Sequence, residues 1–445
     1  MREGLIHTVK GLLHSEDQRT RRIKYNIFSS LLFKGGGIIV SLWIVPLTLG
    51  YLSSYEYGVW LTISSVMVWI NYFDIGLGNG LRNKLAEALA EEDYEKGRIY
   101  VSTSFFILAL IMLFLSGTLL VLNRYLDWEA LLNTVAHPIP GLNAIVTWIL
   151  VTFCISFLLK LVGVVYLALQ LPAVNDLFLF AGSALSLLLI YLLTRFTEGN
   201  LFYVAMAFSL SPLFVYLIAI PFTFRKYQQL RPDFSHVKMT YAKDLMGVGV
   251  KFFIIQIACL VIFSTSNFLI SHFFTPTQVT PYNIAFKYFN VVAMLFTILI
   301  SPMWTAITDA YQKREYSWIR IKMKAMVKIW SMCIGLLVLM VLLSERVYTY
   351  WVGENISITL SLSIGMAIYV AVSTWNQIFA SFVNGITDIK LQLRLAILEA
   401  ILFIPLAYWF SRLFGLPGMV YAMTLVLFIS SVGLPIQYYL IIKSK

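Results

Sequence analysis

The chain has 445 residues, of which 59% are hydrophobic and only 12% charged, with a mean hydropathy of +0.80 and a formal net charge of +11. A soluble domain carries about 25% charged and roughly 45–50% apolar residues, so an ordinary soluble enzyme is excluded and an integral membrane protein is expected. Length then counts membrane spans of about 20 residues each, not soluble domains.

Residues 1–24 (MREGLIHTVKGLLHSEDQRTRRIK) read as a polar, basic cytosolic tail. They lack the small-residue cleavage site of a secretory signal, so the first apolar run is kept as a span. Hydrophobic windows predict twelve helices, at 25–49, 57–75, 99–123, 144–170, 175–194, 200–223, 247–271, 282–304, 327–344, 358–383, 393–411 and 418–442. Of the 33 Lys and Arg residues, 25 fall in segments on one side of this arrangement. The opposite side holds Arg124, Arg195, Arg346 and Arg412, and the other four lie inside spans. This bias puts both termini in the cytosol and accounts for the net charge without nucleic acid. The opposite-side loops are short, so no soluble catalytic domain fits there.

The stretch FDIGLGNGLRNKLAEALAEEDYEKGR after the second span places Gly76, Gly78 and Gly80 ahead of dense charge. A dinucleotide loop needs G-x-G-x-x-G between strand and helix, and this G-x-G-x-G follows a span. The residues after it form an amphipathic helix, with Leu81, Leu85, Ala88 and Leu89 expected toward the membrane. DYEKGRI at 93–99 returns as EYSWIRI at 315–321, an offset of 222, about half of the 445 residues. Tyr94/Tyr316, Arg98/Arg320 and Ile99/Ile321 match, each segment following the second span of its half. The pattern predicts an all-α membrane protein of two six-helix lobes, related by a pseudo-two-fold along the membrane normal. The N-lobe takes 25–223, a cytosolic linker 224–246, and the C-lobe 247–445.

Charges inside spans are costly and are functional candidates by default. Lys34, followed by three glycines, and Lys160, Lys251 and Lys287 are the intramembrane cations. Ammonium groups bind phosphate as point charges, so an anionic ligand is expected. For Lys251 and Lys287, snorkelling to the interface is an equal reading. Glu399 is the deepest acid, suited equally to a coupling proton or sodium ion and to an interhelical ion pair or hydrogen bond. Asp74, Asp176 and Asp309 lie at span ends, where an interhelical ion pair or hydrogen bond is the simpler reading. Asp74 and Asp309 are kept beside Glu399 as candidates for ion coupling. Trp43, Trp60, Trp304 and Trp375 read as interfacial belt or packing. Asn267, Asn376, Gln377 and Asn384 suit either hydroxyl ligands or neighbouring helices. Cys154, Cys259 and Cys333 read as apolar packing residues, and no metal spacing, Walker A motif or nucleophile elbow is present.

The glycine stretch, GYLSSYEYGVW, YLALQLPAVND, and FVNGITDIKLQLRLAILEAILFIPLAYWFSRLFGLPGMVYA together resemble one family. It is the polysaccharide transporter branch, with the Wzx-type O-antigen flippases, of the multidrug/oligosaccharidyl-lipid/polysaccharide (MOP) exporter superfamily. The resemblance runs over essentially the whole chain. It implies two six-helix lobes, no cofactor, and ion-driven transfer of an undecaprenyl-pyrophosphate-linked oligosaccharide across the bacterial plasma membrane. It also implies membrane lipids, a polysaccharide polymerase and glycosyltransferases as partners. A cationic cavity for the pyrophosphate, drawn from Lys34, Lys160, Lys251 and Lys287, follows from the same resemblance. Two alternatives stand beside it. A multidrug/cation antiporter needs an acid-dominated cavity, and a glycan ligase or polymerase needs a sizeable outside loop.

Overall fold

The computed structural model describes residues 18–70, 76–246, 265–386, 388 and 390–443. Fourteen helices organise it. They are α1 (Gln18–Tyr51), α2 (Ser54–Ile70), α3 (Leu77–Ala90), α4 (Tyr94–Asn123), α5 (Leu142–Leu159), α6 (Leu161–Ala168), α7 (Pro172–Phe196) and α8 (Leu201–Lys226), then α9 (Ser266–Phe273), α10 (Pro276–Gln312), α11 (Tyr316–Val352), α12 (Leu360–Gly385), α13 (Lys390–Phe414) and α14 (Leu416–Lys443). No strand occurs among the described residues. A backbone in lipid must satisfy its own polar groups, and helices do so within one segment.

Ten helices among the described residues are long and apolar enough to cross a membrane, with α5 and α6 forming one of them across a kink at Lys160. The chain is therefore a multi-pass membrane protein. The predicted second span ends among undescribed residues, and α2 itself has 17. Most of the predicted seventh span, at 247–264, also lies outside the described residues. Helices α10 and α11 have 37 residues each and outrun their predicted spans 282–304 and 327–344, because helix formation continues into the charged flanks where hydropathy stops.

Local chemistry sets the helix ends. Asp93 accepts from the Lys96 amide to start α4, Asn200 from Phe202 to start α8, and Thr359 from Leu362 to start α12. Pro172 opens α7, where a missing N–H costs nothing. Gly76 precedes α3 with φ 79, a left-handed conformation that glycine adopts without steric cost.

Two internal prolines are used for packing. Pro46 in α1 cannot donate to the Leu42 carbonyl, which instead accepts the Trp351 indole at 2.8 Å. Pro435 in α14 frees the Ser431 carbonyl, which accepts the Trp375 indole at 3.0 Å. Both tryptophans serve as interhelical donors, which for Trp375 agrees with the packing reading.

The helices pack in two groups. Before the linker, α1 lies on α7, α7 on α8, α8 on α5 and α5 on α4, while α3 packs on α4 and α6. After it, α10 and α14 flank α12, α11 packs on α10 and α12, and α13 lies on α14. The groups meet where α2 lies against α9 and α10, and where α1 touches α10 and α11. The turns joining α1 to α2, α7 to α8, α9 to α10 and α13 to α14 gather at one end, here the Pro276 end. The residues between α3 and α4, α6 and α7, α10 and α11, and after α8 gather at the other, the linker end.

The apolar face of α3 does not reach the membrane as expected. Leu77, Leu81, Leu85 and Ala88 are fully buried, packed in the main core with Leu230 and Leu245 of the linker. Gly80 lies so near the linker that a Cβ there would sit 1.9 Å from the Leu245 carbonyl oxygen. The G-x-G-x-G stretch thus starts a helix that docks on the linker.

The two copies of the repeated segment share a local geometry. Glu92 and Arg314, 222 residues apart, are both left-handed, with φ 57 and 60. Arg98 donates to the Arg231 carbonyl just after α8, and Arg320 to the Ile442 carbonyl at the end of α14. Arg98 thus holds the linker that follows the last helix of its group, and Arg320 the end of the last helix of its own.

Candidate functional site

The site begins with close packing of α1 on α7. A Cβ on Gly36 would lie 2.8 Å from the Phe180 ring, so the glycine lets the ring settle against α1. Phe33 lies beside Phe180, with ring centroids 5.9 Å apart. This contact sets Lys34 opposite Asp176, with Nζ 3.6 Å from Oδ2. One turn earlier on the same face of α1, the Ser30 hydroxyl donates to the same carboxylate oxygen. The lysine side chain is 51% exposed and the aspartate 9%.

The pair borders a cavity of about 600 Å³ between the two groups of helices. Helices α1 and α7 form one wall, and α10 and α12 the other. Lys34 and Asp176 are its charged lining residues. Ser41, Ser183, Asn290, Thr297, Ser373 and Gln377 supply hydroxyls and amides, and Phe33, Phe180, Phe286 and Tyr369 supply rings. Thr297 donates to the Gln377 amide oxygen at 3.1 Å, fixing that side chain across α10 and α12. A second cavity of about 620 Å³ lies on the opposite face of α1. Its lining is mainly apolar, from Ile39, Leu42, Trp43, Leu343 and Tyr350, with Arg346 at its wall.

The structure does not gather the four lysines. Lys34 is at the cavity. Lys160 sits at the α5–α6 kink with its ammonium 4.6 Å from the centroid of the Phe157 ring, outside the cavity lining. Lys287 lies on α10, partly buried and likewise outside that lining. Lys251 lies outside the described residues.

The acids are equally dispersed. Glu399 is 4% exposed between α13 and α14, where it accepts the Ser430 backbone N–H at 3.0 Å. It does not line the cavity. Asp74 falls outside the described residues, and Asp309 lies on α10 with its side chain among those not described. Among the described residues, no group of acids, histidines or cysteines is placed to hold a metal ion.

Of the polar candidates, Gln377 lines the cavity. Asn376 donates to the Leu427 carbonyl, and Asn267 to the Leu61 carbonyl while accepting from Asn283. Sequence reasoning placed Asp176 as an interhelical partner and missed that its pairing lies inside a cavity. The signal available was the Gly35–Gly37 run, which marks where another helix approaches α1 beside a lysine.

A band of hydrogen bonds joins the two groups on the Pro276 side of the cavity. Thr280 donates to the Ser54 carbonyl at 2.7 Å, and Asn267 to the Leu61 carbonyl at 3.3 Å. Ser271 donates to the Leu132 carbonyl, and the Asn133 amide to the carbonyls of Ser271 and Phe274. At Gly58, a Cβ would stand 1.8 Å from the Pro276 carbonyl oxygen, so only glycine admits this approach of α2 to α10.

Comparison with known proteins adds two findings, and no protein-family model matches the chain. It is 20% identical over 407 residues to a Salmonella typhi protein named "Putative O-antigen transporter", covering 90% of this chain and 92% of that one. It is 22% identical over 403 residues to a Salmonella typhimurium protein of the same name, covering 86% and 88%. Among solved structures, an inward-facing multidrug resistance MATE transporter of the MOP superfamily matches with TM-score 0.78 and 14% identity, over 94% of this chain and 98% of that one. An outward-facing MATE structure of that superfamily matches with TM-score 0.66 and 15% identity, over 97% of each chain. The chain is therefore similar in sequence to two proteins named "Putative O-antigen transporter", and its fold is that of the solved MATE structures.

Proposed function

We propose that this protein moves a lipid-linked oligosaccharide, carried on undecaprenyl pyrophosphate, between the leaflets of a bacterial inner membrane. The observation that carries this reading is the cavity between the two helix groups. It joins one solvent-accessible ammonium to hydroxyls, amides and aromatic faces. A diphosphate wants the cation, and sugars want the polar groups and rings. The apolar cavity across α1 gives a polyprenyl chain a surface beside that headgroup site. The names of the sequence relatives point the same way.

The mechanism is alternating access. The groups are closed against each other at the Pro276 end, and the better match to an inward-facing neighbour supports a cavity served from the linker end. By the charge bias of the loops, that end faces the cytosol, where the glycan is loaded. The two groups then act as the two lobes of the sequence reading, 25–223 and 247–445, rocking about their contact. A proton or sodium gradient drives the cycle. Buried Glu399 is a candidate for coupling, together with Asp74 and Asp309. Glycosyltransferases supply the substrate and a polysaccharide polymerase receives it.

A multidrug antiporter is the second reading, because Asp176 also lines the cavity and the structural neighbours carry drug-transporter names. Deletion in a polysaccharide-producing host separates them. Undecaprenyl-linked repeat units should accumulate and surface glycan disappear, with Lys34→Ala failing to restore either despite normal expression. Unchanged surface glycan, with new sensitivity to lipophilic cations, would assign the second reading instead.

A further inference from the structure

Lys34 and Asp176 pose a physical problem for a site that binds anions. A carboxylate beside the ammonium competes with any anion that arrives. The geometry shows an uneven competition. Asp176 is 9% exposed and held twice, by Lys34 and by the Ser30 hydroxyl, near the N-terminal end of α7. Lys34 is 51% exposed and stands 3.6 Å away, beyond hydrogen-bonding distance. If the pair separates, Asp176 keeps the Ser30 hydroxyl while Lys34 swings free into the cavity.

We propose that Asp176 is an internal counter-anion, holding Lys34 when the cavity is empty and yielding it to the diphosphate of an entering ligand. This deepens the flippase reading and rests on it. Its purpose follows from the transport cycle. An empty carrier must return with its site closed, and an unpaired ammonium in a closed, low-dielectric cavity is costly. The carboxylate neutralises it on the return leg, and the substrate neutralises it on the outward leg. Loading is then an exchange of one anion for another at a single lysine. Phe33 and Phe180 wall the pair on the side where α1 meets α7, and the cavity is the remaining approach for a ligand.

The test is equilibrium binding of farnesyl diphosphate to the purified full-length protein in lipid nanodiscs, with farnesol as the uncharged control. Asp176→Asn keeps an acceptor for Ser30 and removes the competitor. It should bind the diphosphate about ten-fold tighter than wild type, with farnesol unchanged. In reconstituted vesicles the same variant should transport more slowly over many turnovers, because the empty return carries an unpaired charge. Ser30→Ala supplies a second route if Asp176→Asn does not fold. Without the hydroxyl the carboxylate depends more on Lys34, so diphosphate binding should weaken several-fold. Equal affinity in wild type, Asp176→Asn and Ser30→Ala, with Lys34→Ala weaker, would overturn the counter-anion and leave the flippase reading standing. No diphosphate binding in any of them would overturn both.

Discussion

The two ends of this molecule are held together by different means. At the Pro276 end, Tyr51 donates to the Glu198 carbonyl within one group, and further contacts run between the groups. They are neutral donors on backbone carbonyls, such as Thr280 to Ser54, Asn133 to Ser271 and Phe274, and Trp351 to Leu42, beside the glycine contact of α2 with α10. At the linker end, the contacts tie each group to itself. Arg98 holds the chain after α8, Arg320 holds the end of α14, and α3 docks on the linker through Gly80. Among the described residues, the group-to-group hydrogen bonds thus gather toward the Pro276 end, while the named contacts at the linker end fasten each group internally. The proposed transport cycle needs this division, because moving bodies must stay rigid while their mutual contact breaks.

The largest expected effect comes from breaking the group-to-group seal. Gly58→Ala places a methyl where the Pro276 carbonyl already stands 1.8 Å from the Cβ position, so α2 and α10 must separate. Overpacking of this kind costs about 1–3 kcal/mol. Relief by rocking open is available to a two-body protein, so the variant should shift population instead of unfolding. Thr280 is fully buried, and Thr280→Cys in a background lacking Cys154, Cys259 and Cys333 reports the change. Maleimide labelling at position 280 should rise by an order of magnitude with Gly58→Ala, consistent with about 1.4 kcal/mol per decade. Labelling that stays at the Thr280→Cys level would mean that this contact does not gate the end.

A smaller effect is expected at Asn133. Its left-handed backbone, φ 57, aims the amide at the last turn of α9, where carbonyls lack helical partners. Asn133→Ala removes two hydrogen bonds and leaves that conformation to a residue that resists it. The loss is about 2 kcal/mol, at roughly 1 per bond. Hydrogen exchange in residues 266–274 should accelerate while exchange in α4 does not. Uniform acceleration across the protein would make Asn133 a general stability residue, not part of a local clasp.

These contacts mark where sequence reasoning stopped. Apolar runs and the Arg98/Arg320 repeat were readable because each depends on nearby residues or on a periodic pattern. The docking of α3 was misread. A face of Leu81, Leu85 and Ala88 looks the same whether it meets lipid or protein, and the Leu245 carbonyl that selects Gly80 is over 160 positions away. The lysines show the same limit. Their cost in a membrane made all four candidates, but only helix packing separates Lys34, in a cavity beside Asp176, from Lys160 over Phe157. Glu399 looked exceptional by depth, and its Ser430 partner belongs to another helix.

The smallest effect tests the linker end, and it differs between the two copies. Arg98 meets a carboxylate, Asp233, at 3.3 Å as well as a carbonyl, while Arg320 donates to the Ile442 carbonyl. Donation from Ser235, by side chain and backbone, holds the Asp233 carboxyl below its usual range, with Arg98 and His236 adding to it. A depressed folded-state value means that the contribution is complete above the ordinary carboxylate range and is lost as pH falls through the folded one. Docking of residues 231–238 should therefore be insensitive between pH 7 and pH 5 and loosen only in stronger acid. The α11–α14 contact made by Arg320 should not follow. Exchange protection corrected for intrinsic rates reads both segments in one experiment. Because Asp233 is exposed, the change is modest, and labelling at position 280 should not move with it. If acid loosens the linker and also raises that labelling, the two ends are coupled through the linker, and the division between sealing and bracing contacts gives way to a single connected gate.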